Sequence, residues 1–419
     1  MKNLLYKCFF AAKRRALKSE GFTLIELLIV IAVGGILATV AVLILNPGEI
    51  MKETRDSKRL EDLNHINIAV LEAKSLSPNI NLGIASSVYI SVPDSSATCV
   101  NLGLPSLSTG WSYRCSPSAD FRKTDGAGWI PVNFSSVEGG SVFASIPIDP
   151  INATSSGQYY TYTPANGFHQ LSGLFESLKY GEKSFKDGGI DPAQYEIGDN
   201  LALAPFSHGL KGYWKFAETG TSANDSTGFN NGIMYSSGTP TDLHTITGCK
   251  VSSCINVDDD IGSQRVEIPA ASFAIAAGDF SLCAWFKGND TSGWLVSYNE
   301  VNANGEYGLH ISSSRFAGRA RYSGSNNDTL SNTAVANNVW HFGCSVVDAL
   351  TMKIYLNGQL ENSRNLAGVK ASTTANFLYI GDHNQSPGGS GYDGLIDEVF
   401  IFTRVLSPSQ IKAIYDATK

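Results

Sequence analysis

The sequence predicts an α+β head carried on a long N-terminal helix, followed by an all-β two-sheet sandwich. Three observations carry that prediction. Residues 22–45 form an apolar run with one formal charge, Glu26. Residues 49–76 keep a helical composition but turn amphipathic, with Leu60, Leu63, Ile66 and Val70 recurring at three- and four-residue steps among charges. From residue 211 onward the pattern becomes short alternating runs divided by Asn, Gly, Ser and Asp.

The totals agree with several domains. A chain of 419 residues exceeds one ordinary domain, and a 43% apolar content is globular. The net charge of −7 hides an asymmetry: residues 1–21 hold six Lys/Arg against Glu20, which leaves 25 basic and 37 acidic residues in the remainder. A body of that sign argues against nucleic acid as a partner of the C-terminal part.

At about 1.5 Å per residue, the 22–45 run reaches roughly 36 Å, enough for roughly 30 Å of hydrocarbon. The basic residues before it place 1–21 in the cytoplasm and everything after Leu45 outside. A plain signal anchor meets these requirements but leaves Glu26 unexplained, since a carboxylate in hydrocarbon is costly. Gly34-Gly35 and Asn46-Pro47-Gly48 are the places where the helix is expected to bend or break, and Ser77-Pro78 ends it.

Gly21, Phe22, Thr23, Leu24, Ile25 and Glu26 resemble the type IV prepilin cleavage and methylation motif. The resemblance implies cleavage between Gly21 and Phe22 by a prepilin peptidase, methylation of the new Phe22 amine, and retention of the apolar run. Glu26 would then pair with the Phe22 amine of a neighbouring subunit. At about 4 Å and an effective dielectric near 20 such a pair is worth roughly 4 kcal/mol before desolvation, so its main effect is on register. Repeated head-to-tail contacts of this kind build an open helical filament.

Residues 78–203 read as a small head of short strands. "RDSKRLEDLNHINIAVLEA", "GWSYRC", "DGAGWIPVNF", "IPIDPINATSSGQYYTYTP", "HQLSGLFESLKY" and "YEIGDNLAL" resemble, in that order, the head of a bacterial pilin or pseudopilin. Trp129, Tyr159, Tyr160 and Tyr162 are expected to pack in strands. Residues 204–210 form a short linker to the sandwich, residues 211–419.

Within the sandwich, "YLNGQL" is a hairpin signal with Asn357-Gly358 at the turn. "GLKGYWKFAE", "GDFSLCAWFK", "KIYLNG", "LYIGDHN" and "GLIDEVFIFTRVLSPSQIKAIY" together resemble a LamG-like, concanavalin A-like jelly roll. That resemblance implies binding of carbohydrate or cell-surface ligands and a structural calcium ion, for which Asp225, Asn230 and Asp397 stand at matching positions. Asp225 and Asn230 also suit plain turn hydrogen bonding. Trp214, Trp285 and Trp340 fall in strand patterns and are expected in the core, whereas Trp294 and Tyr298 lie near turns and could stack on a sugar.

Outside the basic head, which holds Cys8, there are six cysteines, an even count that suggests disulfides in an exported chain. Fifteen pairings exist. Taken by segment they are Cys99–Cys115, Cys249–Cys254 and Cys283–Cys344, although the last two residues also suit small buried strand positions. The expected protein is a minor or tip subunit of a pilus that displays an adhesive domain. It starts as a single-pass protein of a bacterial cytoplasmic membrane and ends at the cell surface, with prepilin peptidase and other pilin subunits as partners. A membrane-anchored surface lectin is the alternative. An enzyme is not expected, because neither a GxSxG nor the acidic ExDxxE strand of related hydrolases is present.

Overall fold

A computed structural model describes residues 23–419 except 106, 108–109, 202, 204–208, 259–262, 270–277, 300–306, 323–324, 369–376 and 384–390, and of residues 38–45 and 299 it describes the backbone only. Gly21, Phe22, the leader 1–21 and most of the 204–210 linker therefore lie outside the described residues. The chain divides into two compact units, Met1–Met51 and Lys52–Lys419.

In the first unit, α1 (Leu24–Leu45) begins with a capping box: Thr23 Oγ1 accepts from the Glu26 amide, and Glu26 Oε2 accepts from the Thr23 amide at 2.8 Å. Gly34 and Gly35 do not interrupt it. The break falls at Asn46, whose left-handed φ of 41° ends α1 and lets α2 (Pro47–Leu76) start on a proline. The long helix thus breaks at Asn46, one of the two places where a bend or break was expected, and not at the glycine pair. Leu24 to Leu37 are exposed all round the helix. Among the described residues, no helix is long and apolar enough to cross a membrane.

In the second unit, α2 lays Leu63, Ile66, Ala69, Val70 and Ala73 onto a five-stranded sheet. Its strands are β1 (Ser87–Ile90), β2 (Ser112–Arg114), β3 (Thr161–Ala165), β4 (Phe168–Gly173) and β5 (Tyr195–Gly198), in the order β2-β1-β3-β4-β5. Trp129, Tyr160 and Tyr162 fill the core beneath the helix, and Trp129 Nε1 donates to Pro147 O. Cys99–Cys115 closes a neighbouring lobe around Ile90 and Tyr159. Between β4 and β5 runs α3 (Leu178–Lys186), capped by Ser177.

The sandwich opens with β6 (Leu210–Trp214), β7 (Ser222–Ala223), β8 (Gly232–Ser236), β9 (Thr239–Pro240), β10 (His244–Thr245), β11 (Cys254–Val257) and β12 (Arg265–Pro269). It continues through β13 (Phe280–Gly288), β14 (Ser292–Asn299), β15 (Tyr307–Ser312), β16 (Arg315–Tyr322) and β17 (Ser325–Ala334). It closes with β18 (His341–Val347), β19 (Thr351–Leu356), β20 (Gln359–Asn365), β21 (Phe377–Ile380), β22 (Gly394–Phe402) and α4 (Pro408–Thr418). Among the described residues these make an eight-stranded sheet, β10-β11-β22-β13-β18-β19-β20 with β6 on β22, and a nine-stranded sheet, β17-β16-β15-β14-β21-β12-β8-β7 with β9 on β8. Alternate residues of both sheets, among them Val266, Ile268, Leu282, Leu309, Phe316 and Ile401, meet in one core.

The far side of the eight-stranded sheet is apolar too, and this explains how the head attaches. Tyr213, Trp285, Phe342 and Phe400 are covered by Ile411 and Ile414 of α4 and by Ile190 and Ala193 of the head. Here α3 and α4 pack so closely that a Cβ on Gly181 would come within 2.6 Å of Ala413 Cβ. Cys283 and Cys344, facing each other across β13 and β18, are disulfide-bonded under this layer, and Cys249–Cys254 is also joined.

Candidate functional site

The other face of the nine-stranded sheet carries a transverse row set by register alone. Ile233, Glu267, Tyr379, Ser297, Gly308, Arg319 and Asp328 are successive cross-strand partners from β8 to β17. Because strand side chains alternate, these residues share the face opposite the core. Polar, aromatic and charged groups therefore replace the aliphatic residues of the inner face.

Trp294 sits at the centre of this face. A Cβ at Gly308 would lie 3.0 Å from its indole, so glycine there leaves room for the ring. The ring lies 4.7 Å from that of His310 and 5.9 Å from that of His383, nearly parallel to the latter at 15°. The Arg319 guanidinium stands 4.9 Å from the indole centre, a cation–π distance. Arg319 is itself held by Asp328 through two hydrogen bonds of 2.6 and 2.7 Å. Burial raises the Asp328 carboxyl, but the Arg319 hydrogen bonds outweigh it and leave the group below its ordinary value. Burial pushes His310 down to about 4, so its ring is neutral at pH 7. Among the described residues, His310 Nδ1 and Asp382 Oδ2 are buried without a hydrogen-bond partner. Such groups are costly unless something pairs with them.

Trp294 is 8% exposed, so its ring is largely covered by these neighbours. Solvent reaches the row at Ile233, and at the Arg319–Asp328 pair, whose side chains are 19% and 30% exposed. Tyr298 is elsewhere: it belongs to the inner core, where its ring neighbours that of Tyr307. A ligand on the outer face does not reach it, which corrects the sequence expectation that grouped it with Trp294. Sequence reasoning missed His310, Arg319, Asp328 and His383, although the alternating arginines of "SRFAGRARY" were a usable signal.

The residues expected to hold calcium do not form one centre. Asp225 accepts the amides of Tyr213, Thr227 and Asn230 at 2.9–3.1 Å, together with Asn230 Nδ2 and the Thr227 hydroxyl. Asp397 belongs to a separate cluster and accepts the amides of Lys250, Val251 and Glu398. Both carboxylates are surrounded by N–H and O–H donors, whereas a cation needs converging oxygen acceptors. The set does not fit calcium. Among the described residues no group of three or more His, Cys, Asp or Glu could hold a metal ion. Asp397 and Glu398 are buried side by side, and burial pushes them up to about 8 and about 7. Tyr213 donates its hydroxyl to Glu398.

Comparison with known proteins finds a match at each end of the chain. Residues 17–42 match the prokaryotic N-terminal methylation motif of type IV pilins. Residues 260–412 match the family described as the concanavalin A-like lectin/glucanases superfamily. The C-terminal part is a concanavalin A-like domain. No curated protein matches the chain. Similar solved structures include domain 4 of AbnA, a GH43 extracellular arabinanase from Geobacillus stearothermophilus, in complex with arabinotriose: 18% identity, TM-score 0.40, covering 50% of this chain and 98% of that one. The binding domains of Paraclostridial Mosquitocidal Protein 1 and botulinum neurotoxin serotype D are 13% and 14% identical, with TM-scores of 0.40 and 0.38. Each match covers 50% of this chain and 52% of the toxin domain, so the concanavalin A-like domain spans about half the length of either.

Proposed function

We propose that the chain is a type IV pilin-like subunit, minor or at the tip, that displays its concanavalin A-like domain for adhesion to a glycan or other cell-surface ligand. The observation that carries the reading is Glu26. It is the one charge in residues 22–45, five residues after Gly21, on a helix apolar all round. Prepilin peptidase would cut after Gly21, and the apolar helix would be covered first by membrane and then by neighbouring subunits. The size of the unit Lys52–Lys419 favours a rare position, because an addition of this bulk crowds a packed filament. The ligand would meet the outer face of the nine-stranded sheet at Arg319 and Asp328, with the largely covered Trp294 ring supporting Arg319 from beneath. The reading is of a binding protein and not an enzyme.

A second reading, a membrane-anchored lectin outside any filament, is favoured by the capping box. Glu26 already has a local task, closing the first turn of its own helix with Thr23. Glu26→Gln separates the two, because glutamine keeps a capping box but carries no charge. Loss of the subunit from purified filaments, with membrane levels unchanged, is expected for the filament subunit. Absence of the wild-type subunit itself from purified filaments would favour the anchor, and wild-type incorporation of the variant would show that assembly does not need the Glu26 charge.

A further inference from the structure

We propose that the cleft between the head and the concanavalin A-like domain is a second ligand site, fitted to a short uncharged saccharide. It encloses about 730 Å³, within the range of roughly 300–1,000 Å³ usual for small-molecule sites, and such sites favour domain junctions. The head contributes Thr154, Ser155 and Gln158, and the C-terminal domain contributes Ser407, Ser409 and Gln410. Neither wall makes the site alone.

Gln158 points to a ligand. The residue is 7% exposed, and its Oε1 is buried with no hydrogen-bond partner among the described residues. That acceptor has almost no exposed surface, so a ligand hydroxyl would meet it only after the amide turns into the cleft, which would recover the free energy of leaving it unpaired. The cleft also takes in the first turn of α4, where Ser407 Oγ and Gln410 Oε1 are already engaged in the helix cap, so the ligand-facing groups are the Thr154, Ser155 and Ser409 hydroxyls and the Gln158 amide. The amide and hydroxyl groups suit a ligand that both donates and accepts hydrogen bonds.

Charge selects against ionic ligands. Lys52 and Arg404 line the cleft, but so do Glu176 and Asp279, so its formal charges balance. A neutral polyol meets no net opposing field, and Tyr159 and Leu174 add apolar surface for the faces of sugar rings.

The test uses the full processed chain in a sugar-free detergent, with saturation-transfer NMR and three neutral probes: maltose, cellobiose and N,N′-diacetylchitobiose. At least one probe is expected to receive saturation. Gln158→Leu should weaken its binding at least fivefold. Ser155→Trp, placed on an exposed loop residue at the cleft so that folding is spared, should abolish it. Trp294→Ala distinguishes this site from the sheet face: binding that survives there and is lost in Ser155→Trp supports the cleft. Binding lost in Trp294→Ala and kept in Ser155→Trp overturns the cleft while leaving the sheet-face reading intact. Saturation of none of the three probes overturns the cleft as well.

Discussion

Arg59 has no exposed surface, and three carboxylates surround it. It binds Asp149 at 2.6 and 3.2 Å, Asp56 at 2.6 Å and Glu176 at 2.6 Å, while Asp56 also accepts the amides of Glu176 and Ser177. One side chain thus ties α2 to two remote loops of the head. Arg59→Met should cost about 3–5 kcal/mol, because it strands buried carboxylates rather than removing a neutral contact. A urea melt with an unchanged midpoint would refute this. A different pH signature belongs to Asp397, Glu398 and Asp187, which burial raises to about 8, about 7 and about 7. Their folded pKa values lie above the unfolded ones, so the folded state holds more protons. Above pH 6.5 stability should therefore fall as pH rises, by up to about 1.4 kcal/mol per pH unit for each group that keeps its proton only when folded, levelling off above about 7 for Glu398 and Asp187 and above about 8 for Asp397. Buried His310 and His169, lowered to about 4, act below that window. Asp397→Asn should flatten the slope of melting temperature against pH; a slope equal to the wild type would remove Asp397 as a source.

At the scale of elements, local patterns were legible and long-range ones were not. Leu63, Ile66 and Val70 line the buried side of α2, as their spacing implied. The Asn357-Gly358 turn joins β19 and β20 with φ of 52° and 76°. The burial of Arg59, Asp56 and Asp62 could not be read, because the partners of Arg59 lie up to 117 residues away and isolated charges read as solvated. The grouping of Trp294 with Tyr298 failed for a local reason. Four residues apart on a regular strand they would share a face, but β14 carries a bulge between Trp294 and Val296 that turns them to opposite sides. Attachment of the head through α3 and α4 was equally hidden, since Gly181 looks like an ordinary helix defect in sequence. Gly181→Leu should cost about 1–3 kcal/mol in calorimetry by forcing the two helices apart. A paired change, Gly181→Ala with Ala413→Gly, should recover most of the stability lost in Gly181→Ala alone. Failure of that rescue would mean the contact is not what limits the packing.

The whole molecule combines an assembly helix with a binding domain, and the two were unequally legible. The prepilin-like motif is contiguous, so six residues and an apolar run sufficed to read it. The sheet-face site is spread from Ile233 to Tyr379 and appears only when the strands come into register. Residues 17–42 carry the methylation motif, and the described side chains of α1 leave Leu24 81% and Val33 50% exposed in the isolated chain. A surface of that kind needs a membrane or a set of neighbours to cover it. Everything proposed about display and adhesion depends on the processing that would turn the anchor into a filament element. Intact-mass and N-terminal peptide spectrometry of the chain purified from its native cells tests this most directly. The account predicts a mature protein that begins at N-methylated Phe22 and lacks residues 1–21; a chain that still begins at Met1 would contradict it.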